Sequence, residues 1–148
     1  MRARPLVIAS VAGYLVLVAG ALGLVADRAA IAVGPVAIGV QIAGLALMVW
    51  ARLTFRARSF HFAANPTEGG LVTTGPYRFV RHPIYSAILV AAVPAVATHF
   101  TWMNLGCGVV MLLGIVIRIA AEERLVTERY PEYADYAKHT KRLVPFVL

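Results

Sequence analysis

Long apolar runs separated by short charged segments dominate the chain. Residues 5–26, 29–51 and 84–117 contain no charged side chain. A helix over residues 5–26 rises about 33 Å, which is enough to cross the hydrocarbon core of a bilayer. The same holds for residues 29–51, where Gly34, Gly39 and Gly44 favour close helix packing in lipid. The pattern therefore predicts two N-terminal transmembrane helices within residues 1–51.

The third apolar run is too long for one upright crossing. A single helix over residues 84–117 would rise about 51 Å, against a hydrocarbon core of about 30 Å. We expect a helical hairpin that turns at residues 99–104, where Trp102 suits the headgroup interface. Pro94 lacks a backbone donor and should bend the first arm. The sequence thus predicts an all-α integral membrane protein with four transmembrane helices.

Composition agrees with a membrane protein and excludes a soluble globule. The 148 residues are 60% hydrophobic and 14% charged, with a mean hydropathy of +0.76. A soluble core of this length could not bury so much apolar surface. We expect a single membrane domain over residues 1–148. The N-terminal segment resembles a signal peptide, but its apolar run is too long, so we expect a retained anchor.

The basic residues predict how the chain is oriented. In the four-helix topology, thirteen of the fourteen lysines and arginines fall on one side, and Arg28 falls on the other. The positive-inside rule places both termini and the loop of residues 52–83 in the cytoplasm, as in a bacterial-type inner or plasma membrane. The net charge of +7 suits anionic membrane lipids, and we expect no nucleic acid partner.

The loop before the hairpin combines turn residues with candidate chemistry. Pro83 fits the first turn of the third helix, which leaves Arg81 and His82 beside free backbone N–H groups that favour an anion. Alternatively, the arginines only bind lipid phosphates, while Tyr77 and Tyr85 belong to an aromatic belt. Belt residues need no fixed order, so the dense motifs favour a binding site.

Two adjacent glutamates lie near the cytoplasmic end of the fourth helix. Arg118 and Glu122 share a face at i, i+4 spacing and can pair. Glu123 lies about 100° further round the helix, so we expect one carboxylate to remain for a cationic ligand. Beyond them, a stripe at helical spacing predicts a C-terminal interfacial helix that restarts at Pro131.

Nothing in the sequence has the spacing of a metal site. His61 and His82 are isolated from other ligand-type residues, and Cys107 lies within an apolar run. We expect no metal and interpret Cys107 as a small buried hydrophobe.

Taken together, the motifs resemble a known superfamily over residues 69–145. The resemblance is to the isoprenylcysteine carboxyl methyltransferase and phospholipid methyltransferase superfamily of integral membrane enzymes. It is carried, in order, by Gly75-Pro76-Tyr77, Arg81-His82-Pro83-Ile84-Tyr85, Glu122-Glu123-Arg124-Leu125, Tyr133 with Tyr136, and Arg142-Leu143-Val144-Pro145. Ala87 stands where that family often has glycine.

The resemblance implies methyl transfer from S-adenosylmethionine, within a cofactor-binding catalytic region over residues 69–145. The implied cofactor-binding residues are Tyr77, Arg81, His82, Pro83, Tyr85, Glu122 and Glu123. Among them, Tyr77 and Arg81 would close the turn, a glutamate would meet the cofactor's ammonium, and the Arg81 side would suit its carboxylate. The catalytic candidates are Glu122 or Glu123 as a base for an amine acceptor, and Arg129 to hold an acidic group of the acceptor.

The acceptor and the assembly stay open at this stage. A prenylcysteine-like carboxylate, a phospholipid amine and another small hydrophobic substrate all fit a lipophilic acceptor. A sterol-type membrane reductase is a weaker alternative, because the chain has few polar residues for a dinucleotide. A non-enzymatic membrane scaffold is the other alternative. The sequence does not indicate an oligomeric state.

Overall fold

The computed structural model describes residues 3–55 and 71–144. Within them lie five α-helices and one 3₁₀ turn: α1 (Ala3–Ala26), α2 (Pro35–Phe55), the turn Gly75–Arg78, α3 (Pro83–Thr98), α4 (Trp102–Arg129) and α5 (Tyr133–His139). The described part contains no named β-strand, which confirms the all-helical prediction. The predictions for His61 and Pro145, and the first two residues of the region 69–145, lie outside the described residues.

Three of these helices are long and apolar enough to cross a membrane. They are α1, α2 and α4. Helix α3 has 16 residues and so rises about 24 Å, less than the hydrocarbon core. A fourth crossing therefore stays a prediction. The same is true of an interfacial position for α5, which is only seven residues long.

The second helix begins later than the sequence predicts. Residues 29–34 form a loop, in which Gly34 has a φ of 92°, and Pro35 opens the helix. The side chain of Gln41 accepts a 2.8 Å hydrogen bond from the Ala32 N–H and donates one of 3.0 Å to the Ala91 carbonyl. The prediction of helix from residue 29 was wrong. The Gln41 side chain, nine residues after Ala32, provides the hydrogen bond that the Ala32 N–H would otherwise make within a helix.

The predicted helical hairpin is confirmed. Helix α3 ends at Thr98 and α4 begins at Trp102. The turn is fixed by Thr101, whose hydroxyl accepts a 3.0 Å bond from the Asn104 N–H, in the manner of a helix N-cap. Trp102 is 80% exposed and contacts Phe100 edge-on. Exposed aromatic rings at this end suit the membrane interface.

The helices associate in two close pairs, α1 with α4 and α2 with α3. At Gly114, an added Cβ would lie 2.5 Å from the backbone nitrogen of Leu17, so α1 and α4 approach closely. At Gly44, a Cβ would lie 3.1 Å from the Ala87 carbonyl oxygen of α3, whereas Gly39 faces open space. Of the three glycines predicted to form a packing seam, Gly44 serves that role.

The chain after α5 returns across the turn that precedes α3. We call residues 140–144 the C-terminal strap. The backbone N–H of Arg81 donates a 2.7 Å hydrogen bond to the Lys141 carbonyl. The backbone N–H of His82 donates one of 3.0 Å to the Arg142 carbonyl. Ser86 of α3 holds the strap further along, at the Leu143 carbonyl. The strap therefore fixes the Arg81-His82 segment from outside.

Candidate functional site

The Gly-Pro-Tyr motif packs the 3₁₀ turn against the end of α2. Gly75 has a φ of 57°, and a Cβ there would lie 2.5 Å from the Thr54 hydroxyl oxygen. Glycine is required on both counts. The Tyr77 ring is buried with its centroid 5.5 Å from that of Phe55, and its carbonyl accepts a hydrogen bond from the Tyr136 hydroxyl. Tyr77 thus packs the 3₁₀ turn against α2 and joins it to α5.

Arg81 joins the turn to the C-terminal part of the chain. Its Nε donates a 2.9 Å bond to Glu123 Oε1. Its Nη1 donates to the carbonyls of Ala137 and Thr140 at the end of α5, where carbonyl groups lack partners within the helix. With a side chain only 10% exposed, Arg81 acts mainly inside the protein. Arg81 thus ties the segment before α3 to α4 and to the end of α5.

His82 lies between the two glutamates. Its Nε2 is 3.3 Å from Glu123 Oε1, and its Nδ1 is 3.8 Å from Glu122 Oε2. The imidazole is mostly buried, and its centroid is 5.8 Å from that of the Tyr85 ring. The hairpin thus brings the motif at the start of α3 to the motif near the end of α4, as the sequence predicts.

Glu122 belongs to a buried network that reaches α1. Tyr85 donates a 2.6 Å bond to Glu122 Oε1, and Arg118 pairs with the same oxygen at 2.8 Å. This confirms the predicted i, i+4 pair. Arg118, 6% exposed, also donates to the Tyr85 hydroxyl and the Ser10 carbonyl, and it lies over the Tyr14 ring. These partners offset the cost of removing its charge from water.

Glu123 is held on both of its oxygens. Besides Arg81 and His82, the Tyr133 hydroxyl donates to Oε1 at 3.3 Å. Oε2 accepts from Arg142 of the strap, at 3.0 Å from Nε and 2.9 Å from Nη2. Both glutamates therefore carry cationic partners, contrary to the expectation that one would be left without any. The strap supplies the cation that sequence spacing along α4 did not reveal.

Burial keeps Tyr77, Tyr133 and Tyr136, which lie outside the membrane-spanning helices, in their neutral form. It raises the pKa of Tyr77 and of Tyr133 well above the usual value, and it raises the pKa of Tyr136 to about 12. The Tyr133 and Tyr136 hydroxyls therefore remain hydrogen-bond donors at neutral pH, to Glu123 and to the Tyr77 carbonyl. The hydrogen bond to Glu123 raises the pKa of the Arg142 guanidinium.

Arg129 stands apart from the polar cluster. This cluster consists of Arg81, His82, Tyr85, Arg118, Glu122, Glu123, Tyr133 and Arg142. Arg129 is exposed at the end of α4, about 9 Å along the axis and about 120° round the helix from Glu123. The structure does not bring it to the glutamates. Conversely, sequence reasoning gave no role to Ser10 or Tyr14, which lie in an uncharged run without any motif. Arg142 was noted in a motif but was given no role either.

The described residues contain no group of three or more potential metal ligands among histidine, cysteine, aspartate and glutamate. The polar cluster contains two carboxylates, three guanidinium groups, one imidazole and the hydroxyl groups of Tyr85 and Tyr133. Such a set suits a zwitterionic or charged organic ligand.

Comparison with known proteins identifies the family. The phospholipid methyltransferase family matches residues 29–133. The chain belongs to this family. The family is part of the isoprenylcysteine carboxyl methyltransferase-like group of membrane methyltransferases, which confirms the resemblance drawn from the motifs. The three long apolar helices agree with an integral membrane protein.

Two curated relatives match part of the chain. One is the nickel-cobalt-cadmium resistance protein NccN of Alcaligenes xylosoxydans xylosoxydans, 36% identical over 78 residues, which is 51% of this chain and 36% of that protein. The other is the cobalt-zinc-cadmium resistance protein CzcN of Cupriavidus metallidurans, 32% identical over 79 residues, which is 51% of this chain and 35% of that protein. The matched stretch thus spans about a third of each relative. No solved structure matches the chain.

Proposed function

We propose that this protein transfers a methyl group from S-adenosylmethionine to a lipophilic acceptor at the cytoplasmic face of an inner or plasma membrane. Family membership supports the reaction class. The observation that carries the proposal is the position of His82 between Glu122 and Glu123, where the two family motifs meet at the end of a helical hairpin.

The charged groups present fit the cofactor. Its amino-acid end carries an ammonium and a carboxylate, and the cluster offers carboxylate and guanidinium groups within a few ångströms of each other. Glu123 is the better candidate for the ammonium, since its partner Arg142 is largely exposed, whereas Glu122 is held by buried Arg118. His82, Pro83 and Tyr85 would form the opposite wall. When bound, the cofactor supplies an electrophilic methyl group on sulfur.

The work left to the protein is positioning and the exclusion of water. Methyl transfer from a sulfonium is an in-line displacement, in which the bond to sulfur breaks as the bond to the acceptor forms, so no covalent nucleophile of the protein is needed. The network of Tyr85, Glu122 and Arg118 fixes the ends of α3 and α4 relative to each other. A wall held in this way can orient a bound cofactor.

The acceptor would reach the site from the bilayer. A carboxylate acceptor already carries its lone pair and needs no base. An amine acceptor must lose a proton, which Glu122 or Glu123 could accept. Arg129, exposed beyond the cluster, would hold an acidic group of the acceptor. The acceptor would be a prenylcysteine-like carboxylate, a phospholipid amine or another small hydrophobic substrate.

The proposal is tested by methyl transfer itself. The purified protein, in nanodiscs, is incubated with methyl-labelled S-adenosylmethionine and an extract of bacterial membrane lipids. We expect the label to appear in an organic-soluble product that mass spectrometry identifies. His82→Ala serves as the impaired variant. Lys138→Gln is the control, because the Lys138 side chain is 70% exposed in the last turn of α5. A folded protein that neither binds the cofactor nor labels any product would contradict the proposal and favour a scaffold.

A further inference from the structure

The ion pair between Glu123 and Arg142 differs from the other contacts of the cluster. Glu123 Oε1 accepts from three groups whose side chains are mostly buried. Within the part of the chain that the structure describes, Oε2 accepts from Arg142. The Arg142 side chain is 59% exposed, against 10% for Arg81. One oxygen of Glu123 is thus covered by a cation that faces solvent.

Arg142 can leave Glu123 without disturbing the fold. Its backbone carbonyl is fixed by the His82 N–H, so rotation about the side-chain bonds alone releases the guanidinium. The Arg142 side chain is 59% exposed, so its guanidinium already faces water and is released at a lower cost than a buried cation would be. Arg81, in contrast, would have to abandon the carbonyls of Ala137 and Thr140 as well as Glu123. Arg142 is therefore the cation that an incoming ligand can displace.

The pair also matches the amino-acid end of the cofactor. In an α-amino acid, the ammonium and the carboxylate are attached to the same carbon. A ligand ammonium at Glu123 Oε2 therefore places its carboxylate within a few ångströms of a guanidinium that has just been released. One internal ion pair would be exchanged for two charge-assisted contacts with the ligand.

We propose that Arg142 is a cofactor-binding residue that covers Glu123 Oε2 in the free protein and moves to the carboxylate of the bound cofactor. The inference rests on the proposed function. It assigns the carboxylate to the strap, whereas the sequence indicated the Arg81 side. Cofactor binding would then reorganise one exposed side chain and leave the buried contacts of Glu123 Oε1 in place.

The test compares two ligands that differ in the carboxylate alone. S-Adenosylmethionine and its decarboxylated analogue are titrated into the parent, Arg142→Gln and Lys141→Gln by calorimetry in detergent. For Arg142→Gln we expect S-adenosylmethionine to bind about tenfold more weakly, since a charge-assisted hydrogen bond is lost. The analogue should bind about two- to fivefold more tightly, because the ion pair between Glu123 and Arg142 no longer has to be broken.

The control and the contrary outcomes are distinct. Lys141→Gln removes a positive charge one residue away on the same strap, and it should shift both ligands equally and slightly. Arg142→Lys should restore part of the affinity for S-adenosylmethionine. If Arg142→Gln changes both ligands alike, or neither, the inference is wrong while the proposed function stands. If the folded parent binds neither S-adenosylmethionine nor S-adenosylhomocysteine, the proposed function fails and this inference fails with it.

Discussion

Tyr85 donates a 2.6 Å hydrogen bond to Glu122 from the opposite arm of the hairpin, across 37 positions of sequence. Glu122 also accepts from Arg118, and Arg118 donates to the Tyr85 hydroxyl. Each of the three side chains therefore contacts the other two. Polar groups that satisfy one another in this way are coupled, and the loss of one leaves the others short of a partner.

We expect Tyr85→Phe to lower the free energy of unfolding by about 1–3 kcal/mol, because buried polar groups lose a partner. The measurement is reversible unfolding in mixed micelles, extended to a double-mutant cycle with Glu122→Gln. The two substitutions should be non-additive, since the residues are in contact. Strictly additive effects would show that the network is not coupled.

Glu123→Gln should weaken the binding of S-adenosylmethionine by about 1.5–3 kcal/mol, the contribution of a hydrogen bond to a charged group. Folding should survive, because the amide retains the size of the carboxyl group. Lys138→Gln is the control, since its pair with Asp135 is largely exposed. Parent-like binding in Glu122→Gln, Glu123→Gln and the double variant would exclude the proposed ammonium site.

Binding of S-adenosylmethionine or its demethylated product should be insensitive to metal removal. The prediction follows from the absence of a metal-ligand group in residues 3–55 and 71–144. Calorimetric titration before and after treatment with a chelator checks it. Loss of binding after chelation, reversed when a divalent metal is added back, would contradict it.

Stability should fall as the solution becomes strongly alkaline. Burial raises the pKa of Tyr136 to about 12, and those of Tyr77 and Tyr133 also rise. Above pH 10 the unfolded chain releases tyrosine protons that the folded protein still holds. The contribution of these tyrosines to the free energy of unfolding is therefore fully present below about pH 10 and is lost as the pH rises towards about 12.

The free energy of unfolding at pH 9, 10 and 11 tests this dependence. Tyr136→Phe removes one of the titrating groups, so its curve should start lower but decline less steeply over the same range. A decline identical to that of the parent would show that Tyr136 does not contribute.

The proposed topology places α5 in the cytoplasm and Arg28 outside. Cys107 packs against Gly23 of α1, so Cys107→Ala should provide a folded background without a thiol. In that background, an impermeant maleimide added to intact cells should label Arg28→Cys but not Asp135→Cys. Permeabilised cells should allow labelling of both. Labelling of Asp135→Cys in intact cells would reverse the orientation.

The sequence predicted those features that depend on local pattern. Uncharged runs indicated the helices, and the excess length of residues 84–117 indicated the hairpin. Because a hairpin returns the chain to the same side, the meeting of His82 with Glu122 and Glu123 also followed. Pairing of Arg118 with Glu122 required helical spacing alone.

Features that depend on distant segments could not be predicted. Gln41 holds the loop before its own helix, which no propensity reveals. Likewise, the contact between Arg142 and Glu123 depends on the strap crossing the turn. A short segment after α5 carries no pattern that fixes where it docks, so the second cation of Glu123 was missed.

The contact between Ser10 and Arg118 bears on where this protein can be cut. The family match begins at residue 29, so a fragment excised on that boundary would discard all of α1. It would also discard the Ser10 carbonyl and the Tyr14 ring, which contact the buried Arg118 guanidinium. Ending the fragment at residue 133 would remove the strap as well. A fragment that keeps the partners of both Arg118 and Glu123 must therefore extend beyond residues 29–133 at both ends.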